Sequence, residues 1–324
     1  MLEFKANNLG NSLIEIVVAM AIFSLISVSL ASLLMSSFGL LTRQSQIIEA
    51  NNLANEGVEA LRFIKGNKWN NLLYEQSAIN RDNGQWELTG EGTSEQVGIF
   101  GRLINFYPVF RNNFGEIVTS DTEGALLDLY SKKAEVLVTW EVAGLEQKQV
   151  QRVTYLSNWD SSFWRQSDWS GGSGQELWAD ISKYAADDGN IQASSSSLTL
   201  KEVATSTYAT GAYLESSAFS IPAGGNFNII EWTATGTKTS ECPECEIKVM
   251  IKTAFDVNDA PGDWSLTWSG PDGDDGDESD YFATSTGALL NADCNDKRWI
   301  KYRVEFSGNG SVTPVLEKMT VNYN

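Results

Sequence analysis

The sequence predicts an α+β protein: one long N-terminal membrane-spanning helix packed on a small antiparallel sheet, followed by an all-β sandwich. Three observations predict it. From Ile16 to Leu41 no residue is charged, a run of 26 positions, and about 20 apolar residues suffice for a helix to cross a bilayer. Between Gln85 and Tyr155, β-branched and aromatic residues alternate with polar ones, the period of half-buried strands. From Gly189 to Asn324, short apolar stretches are divided by turn signals, as in sandwiches and jelly rolls.

The helix comes first. Ser24, Ser27, Ser29, Ser32, Ser36 and Ser37 dot the apolar run, and small residues let helices approach closely in lipid or in a bundle. Gly39 is expected to loosen it locally. Beyond it, Ile47, Ile48, Leu53, Ala54, Val58, Leu61 and Ile64 recur at helical spacing among polar residues. Gly66-Asn67 reads as the stop.

The strands follow. Trp86-Glu87-Leu88, Val97 to Phe110 and Ala134 to Val142 are β-rich, and a break at Ala143-Gly144-Leu145 leads into Gln147 to Leu156. The last two stretches read as an antiparallel hairpin. Around Trp159, Trp164 and Trp169 the composition shifts to Ser, Asp and Gly, ending in Ser170-Gly171-Gly172-Ser173-Gly174, a linker signature. Further strands are expected at 197–200, 211–221, 227–234, 246–253, 299–306 and 316–323, with turns at 223–225, 262–263 and 308–310. The domain reading is therefore a leader at 1–10, a transmembrane and stem helix at 11–66, a β domain at 67–157, a linker at 158–188 and a sandwich at 189–324.

Composition removes several function classes. The formal net charge is −19 and no Lys/Arg run occurs, so direct nucleic-acid binding is not expected. The chain has no histidine, which excludes Ser-His-Asp and Cys-His nucleophile systems and His-ligated zinc. No nucleophile elbow, phosphate loop or dinucleotide fingerprint is present, and no pair among the many acids is singled out for glycoside hydrolysis. The sequence thus reads as a non-enzyme.

The most specific motif lies at the start. Gly10-Asn11-Ser12-Leu13-Ile14-Glu15 opens the apolar run, and a carboxylate in hydrocarbon costs roughly 2.5 kcal/mol or more. Gly-x-x-x-x-Glu ahead of an aliphatic run resembles the N-terminal signal of type IV prepilins and pseudopilins. The phrase Leu53-Ala54-Asn55-Glu56-Gly57-Val58-Glu59-Ala60-Leu61-Arg62, followed by Asn67-Lys68-Trp69-Asn70, resembles the stem of minor pilins and minor pseudopilins. The resemblance implies cleavage between Gly10 and Asn11 by a prepilin peptidase and methylation of the Asn11 amine. It also implies that Glu15 pairs with that amine on a neighbouring subunit. Asn11 stands where the family usually has Phe or Met. The partners implied are other pilin subunits, the filament assembly machinery and the membrane. Residues 211–219, 264–270 and 312–321 are similar to stretches of bacterial surface jelly-roll modules of the galactose-binding-like and lectin-like kind.

Three further sets of residues are candidates for sites. Asp272, Asp274, Asp275, Asp277, Glu278 and Asp280 crowd one stretch; hard oxygen ligands at this density suit Ca²⁺ as a cofactor, although the spacing is not that of an EF-hand. The other reading is a solvated acidic loop. Trp264 and Trp268 are candidates either for stacking on carbohydrate or for core packing. Cys242, Cys245 and Cys294 allow a disulfide within the Cys242/Cys245 pair or from Cys294 to one of them, or a metal half-site.

The function expected is that of a minor pilin-like subunit displaying an adhesive or ligand-binding sandwich, for which the ligand would be a surface carbohydrate or a protein. The alternatives are a minor pseudopilin of a type II secretion system and a membrane-anchored carbohydrate-binding protein outside any filament. The expected location is the cytoplasmic membrane, single-pass with the bulk outside, and an extracellular filament.

Overall fold

The computed structural model describes residues 9–72, 74–82, 84–112, 114–142, 146–159, 161–273 and 280–324. It opens on one continuous helix, α1 (Leu9–Asn67), which runs unbroken through Gly39 and stops at the expected residues. Its two halves face different surroundings. From Leu13 to Leu41 the large apolar side chains are exposed all round. From Ala50 onward one stripe, Ala50, Leu53, Ala54, Ala60, Leu61 and Ile64, is buried, at the spacing that puts residues on one helix face.

That stripe lies on an antiparallel sheet made from β1 (Gln76–Asp82), β2 (Gln85–Glu91), β3 (Glu95–Val97), β4 (Phe100–Arg111), β5 (Ile117–Val118), β6 (Leu126–Val142) and β7 (Glu146–Ser157). The order is β2-β1-β4-β6-β7, with β3 and β5 added along β4. β6 and β7 form the expected hairpin, in unbroken register from Ser131 opposite Ser157 to Val142 opposite Glu146. Alternate residues of β4 and β6, among them Phe100, Ile104, Ala134, Val136, Val138 and Trp140, face the helix and complete the core. Small residues set the helix close: a Cβ on Gly57 would lie 2.7 Å from Val136 Cγ1. A buried guanidinium ties the two layers. Arg102 on β4 pairs with Glu95 at 2.6 Å and with Glu56 of the helix at 3.8 Å, and donates to the Leu53 carbonyl at 3.1 Å.

The second unit is a two-sheet sandwich. Its strands are β8 (Ser162–Gln166), β9 (Ala186–Asp187), β10 (Ile191–Ala193), β11 (Leu198–Leu200), β12 (Glu202–Ala204), β13 (Thr207–Tyr208), β14 (Gly211–Glu215), β15 (Phe219–Ser220), β16 (Phe227–Thr235), β17 (Glu246–Asp256), β18 (Pro261–Trp264), β19 (Ala288–Leu289), β20 (Trp299–Ser307) and β21 (Val315–Tyr323). One sheet runs β10-β11-β21-β16-β19 with β8 on β21; the other runs β18-β17-β20-β14-β9 with β15 on β20. β12 and β13 pair only with each other. Leu198, Leu214, Phe227, Ile230, Val249, Tyr302, Phe306 and Met319 meet between the sheets.

The segment 158–188, expected to be a linker, is instead built into this sandwich. β8 pairs with β21 over five residues, Ser162 opposite Tyr323 through Gln166 opposite Met319. Trp169 is fully buried and its Nε1 donates to Tyr302 Oη at 3.1 Å, while Tyr302 Oη donates to Gln166 Oε1 at 2.7 Å. Trp164 stacks on Phe219 with ring centroids 4.2 Å apart. The Ser/Gly/Asp composition reflects tight turns between these anchors, not a free tether. The sandwich therefore begins near Ser162 and not at Gly189.

The two units meet through an amide-rich junction. Beyond α1, the short 3-10 helix Trp69–Leu72 presents Asn70, whose Nδ2 donates to the Phe227 carbonyl. Asn226 Nδ2 donates to the Asn67 carbonyl at 3.2 Å, Asn295 Nδ2 donates to Asn71 Oδ1 at 2.9 Å, and Lys68 pairs with Asp296 at 2.7 Å. On the other side of the junction, Tyr130 Oη donates to Glu231 at 3.1 Å. Burial and the Glu231 charge raise the Tyr130 hydroxyl above its ordinary pKa.

Candidate functional site

Gly10 and Asn11 are helical in α1, and Glu15 is exposed on the bare half of the same helix. Around it the helix meets the requirements of a lipid or helix-bundle environment. Ser24, Ser29, Ser37 and Thr42 turn their hydroxyls back onto the carbonyls of Met20, Leu25, Leu33 and Phe38, at 2.8–3.0 Å. These four hydroxyls are satisfied within the helix, which lowers the cost of placing them in an apolar environment. The segment has the length and hydropathy of a membrane span.

A second candidate is a cleft of about 710 Å³ at the junction, beside the Lys68–Asp296 pair. Its volume falls in the range of about 300–1,000 Å³ typical of ligand pockets. Phe255 of β17, Asp263 of β18, Leu266 just beyond it, and Asn291 and Asp293 at the 3-10 helix Ala292–Cys294 line it. Leu266 is 87% exposed and Phe255 53%, so apolar surface sits beside carboxylates and amides. Asn291 is also a brace: its Nδ2 donates to the carbonyls of Pro271 and Asp272, and its Oδ1 accepts from Asp293 N. The arrangement can accept and donate hydrogen bonds to a polar, uncharged molecule while covering an apolar face of it.

Of the paired tryptophans, Trp264 lines this cleft and Trp268 does not. Trp268 is buried and Trp264 half-buried. Cations occupy their surroundings: Lys301 Nζ lies 5.0 Å from the Trp264 ring centroid and 5.2 Å from that of Trp268, with Lys252 at 5.6 Å and Arg303 at 5.9 Å from the latter. Trp264 also packs with Ala218, Ala254 and Trp299. The pair is thus a packing and cation–π unit on the outer face of the sheet, not an open two-ring platform.

Of the acidic stretch, Asp274, Asp275, Asp277 and Glu278 lie outside the described residues. Asp272 and Asp280 are at its ends. Asp280 Oδ2 accepts from the amides of Gly270 at 2.8 Å and Asp272 at 3.0 Å, which closes the base of the loop. Among the described residues no group of three or more His, Cys, Asp or Glu side chains is placed to hold a metal ion. Cys242 and Cys245 form a disulfide and Cys294 is a buried thiol, pushed up to about 12 by burial and the neighbouring Asp293. The two candidates linking Cys294 to the pair are therefore excluded.

The cleft was not read from the sequence. Its lining comes from four separate stretches, and the one available signal was the polar string Asn291-Ala292-Asp293-Cys294-Asn295-Asp296.

No protein-family model matches the chain, and no curated protein matches it. A solved structure titled "Structural basis for the promiscuous specificity of the carbohydrate-binding modules from the beta-sandwich super family" aligns with 71% of this chain and 90% of its own, at 12% identity and a TM-score of 0.21. The β-sandwich is defined by the strand order of its two sheets.

Proposed function

We infer that the chain is a non-catalytic, pilin-like subunit that is anchored by α1 in the membrane, is cut after Gly10 and enters a filament with its sandwich displayed outward. One observation carries the reading: a single helix is bare and apolar over its first half and is packed on an antiparallel sheet over its second. A bare apolar half-helix needs lipid or other helices around it, and the packed half fixes a globular head at its end. Glu15 then has a role, since a lone acid in such a setting is stabilised by an opposite charge from another copy. The Asn11 amine freed by cleavage supplies that charge. A minor pseudopilin shares every one of these features and differs only in the machine that receives it.

The test is intact-mass and N-terminal peptide analysis of the protein from membranes of cells that hold the matching prepilin peptidase. A chain starting at a methylated Asn11 is expected; an unprocessed Met1 terminus would overturn the filament reading. Glu15→Ala should leave cleavage intact and reduce filament incorporation at least tenfold, measured by immunoblot of sheared filaments. Normal incorporation of that variant would remove the pairing role.

A second reading is favoured by the junctional cleft: a membrane-anchored sugar-binding protein outside any filament. It expects an unprocessed N-terminus, together with glycan-array binding that is lost in Asp263→Asn and Asp293→Asn.

A further inference from the structure

Three cavities follow one another along the seam between the two units. The first is the junctional cleft of about 710 Å³. The second, of about 400 Å³, shares Asn291 and Ala292 with it. The third, of about 240 Å³, shares Tyr74 with the second. We propose that the three form one track, which binds an extended, uncharged polysaccharide with successive sugar residues in successive cavities. The inference rests on the sugar-binding reading of the cleft, and not on whether the protein enters a filament.

Three observations carry it. The first is continuity. Neighbouring cavities have lining residues in common, and the wall between the first and second is low, because Ala292 is exposed and carries only a methyl. Both units contribute: the second cavity adds Glu87 and Leu88 of β2 to the sandwich residues, and the third sets Tyr107 of β4 and Leu127 of β6 beside Leu289 of β19. The second observation is repetition. Each cavity holds an aromatic ring and a carboxylate: Phe255 and Asp263 in the first, Tyr74 and Glu87 in the second, Tyr107 and Glu75 in the third. Phe255 and Tyr107 are 53% and 41% exposed, and all three carboxylates are exposed. A sugar residue has an apolar C–H face, which a ring can cover, and a rim of hydroxyls, which a carboxylate can accept from. A pairing that recurs from cavity to cavity suits a ligand that repeats. The third is charge. The cations along the track are already engaged: Lys68 pairs with Asp296 at 2.7 Å, Lys297 Nζ lies 3.5 Å from the Phe255 ring centroid, and Lys132 donates to the Leu72 carbonyl. The carboxylates are left to set the field, which repels an anionic chain. A peptide would add to one sheet edge through its backbone, whereas these walls pass from β17 and β18 through the 3-10 helix Ala292–Cys294 to β2, and then to β4 and β6.

The experiment uses the full chain in detergent on a glycan array. The array carries linear neutral oligosaccharides of glucose, mannose and N-acetylglucosamine, graded from disaccharide to octasaccharide, with uronic-acid oligosaccharides and an octalysine peptide alongside. The wild-type protein should bind the hexasaccharide of at least one neutral series roughly tenfold more tightly than its disaccharide. Tyr74→Ala/Glu87→Gln should bring the hexasaccharide down to the disaccharide level. Tyr107→Ala, in the smallest cavity, should weaken the octasaccharide roughly threefold, and it serves as the test if the thermal midpoint shows that the double variant does not fold. Equal affinity at every length, or long-chain binding that neither variant changes, would overturn the track and leave the cleft as a site for a short sugar. Binding to no glycan would overturn the sugar-binding reading of the cleft as well. Tighter binding of the uronic-acid chains or of octalysine than of any neutral chain would replace the uncharged polysaccharide with a charged polymer.

Discussion

Gly57 shows how a single atom sets the distance between helix and sheet. Its missing Cβ leaves room for Val136, which a methyl would approach to 2.7 Å. Gly57→Ala gains helix propensity but overpacks a buried contact, and overpacking of this kind costs about 1–3 kcal/mol. The expected net result is a lower urea midpoint. Gly57→Ala/Val136→Ala should recover part of the clash, and the non-additivity in a double-mutant cycle measures the contact. Lys132 supplies the pH signature at this scale. Its ammonium donates to the Leu72 carbonyl, and burial lowers it from 10.5 to about 8. Between pH 8 and 10.5 the unfolded chain keeps a proton that the folded chain has shed, so this group makes stability rise with pH across that window. The stability of wild type relative to Lys132→Met should therefore increase by about 1–3 kcal/mol from pH 8 to 10.5, measured by urea unfolding. A flat difference would place the amine in water. The spacing of Gly10 and Glu15 can be read directly along the chain. The Arg102 pair with Glu56 cannot, because it joins a strand to a helix 46 positions earlier.

Among the elements, several strands carry no signal in the sequence, among them β1 (Gln76–Asp82), β18 (Pro261–Trp264, where a turn is expected) and β8. Ser162–Gln166 is flanked by turn-forming residues and has only Phe163 and Trp164 as strand-like positions. Composition therefore argues for a loop. Its partner β21 is more than 150 residues away, and pairing over that distance leaves no local trace. Trp159, Trp164 and Trp169 recur every five residues, yet they part company in the fold. Trp159 is 80% exposed, with Lys65 Nζ 5.7 Å from its ring centroid, whereas Trp169 is fully buried. The Trp169–Tyr302–Gln166 chain of hydrogen bonds locks this segment. Tyr302→Phe removes the shared hydroxyl and strands a buried indole N–H and a buried amide oxygen, at about 1–3 kcal/mol for each unsatisfied group. The expected outcome is a lower thermal midpoint together with protease cleavage between 158 and 188 that the wild-type protein resists. Resistance in both proteins would mean that the segment is held without this relay. The long helix, the β6–β7 hairpin and the main sandwich strands were legible by contrast, because period and turn residues are local properties.

At the level of the whole molecule, the junction decides whether the head is one body or two. Asn70, Asn71, Asn226 and Asn295 join the stem end to the sandwich, reinforced by Lys68–Asp296. Asn70 and Asn226 are buried, so their loss removes shielded hydrogen bonds to the Phe227 and Asn67 carbonyls. Calorimetry should show one cooperative transition for the wild-type protein and two, or one markedly broadened, for Asn70→Ala/Asn226→Ala. Two resolved transitions in the wild-type protein would show that the junction does not couple the units. The same junction frames the cleft, so its shape depends on both domains holding their places. The amino-acid sequence alone specified the apolar helix, its Glu15, the acidic character and the two β-rich regions, because hydropathy, charge and period are written along the chain. The place of 158–188 in the sandwich, the Cys242–Cys245 pairing, the packing of Trp264 and Trp268 and the junctional cleft followed only from the folded chain. Each of them joins residues far apart in sequence or selects among several local partners, and that choice is made by packing and hydrogen bonding in three dimensions.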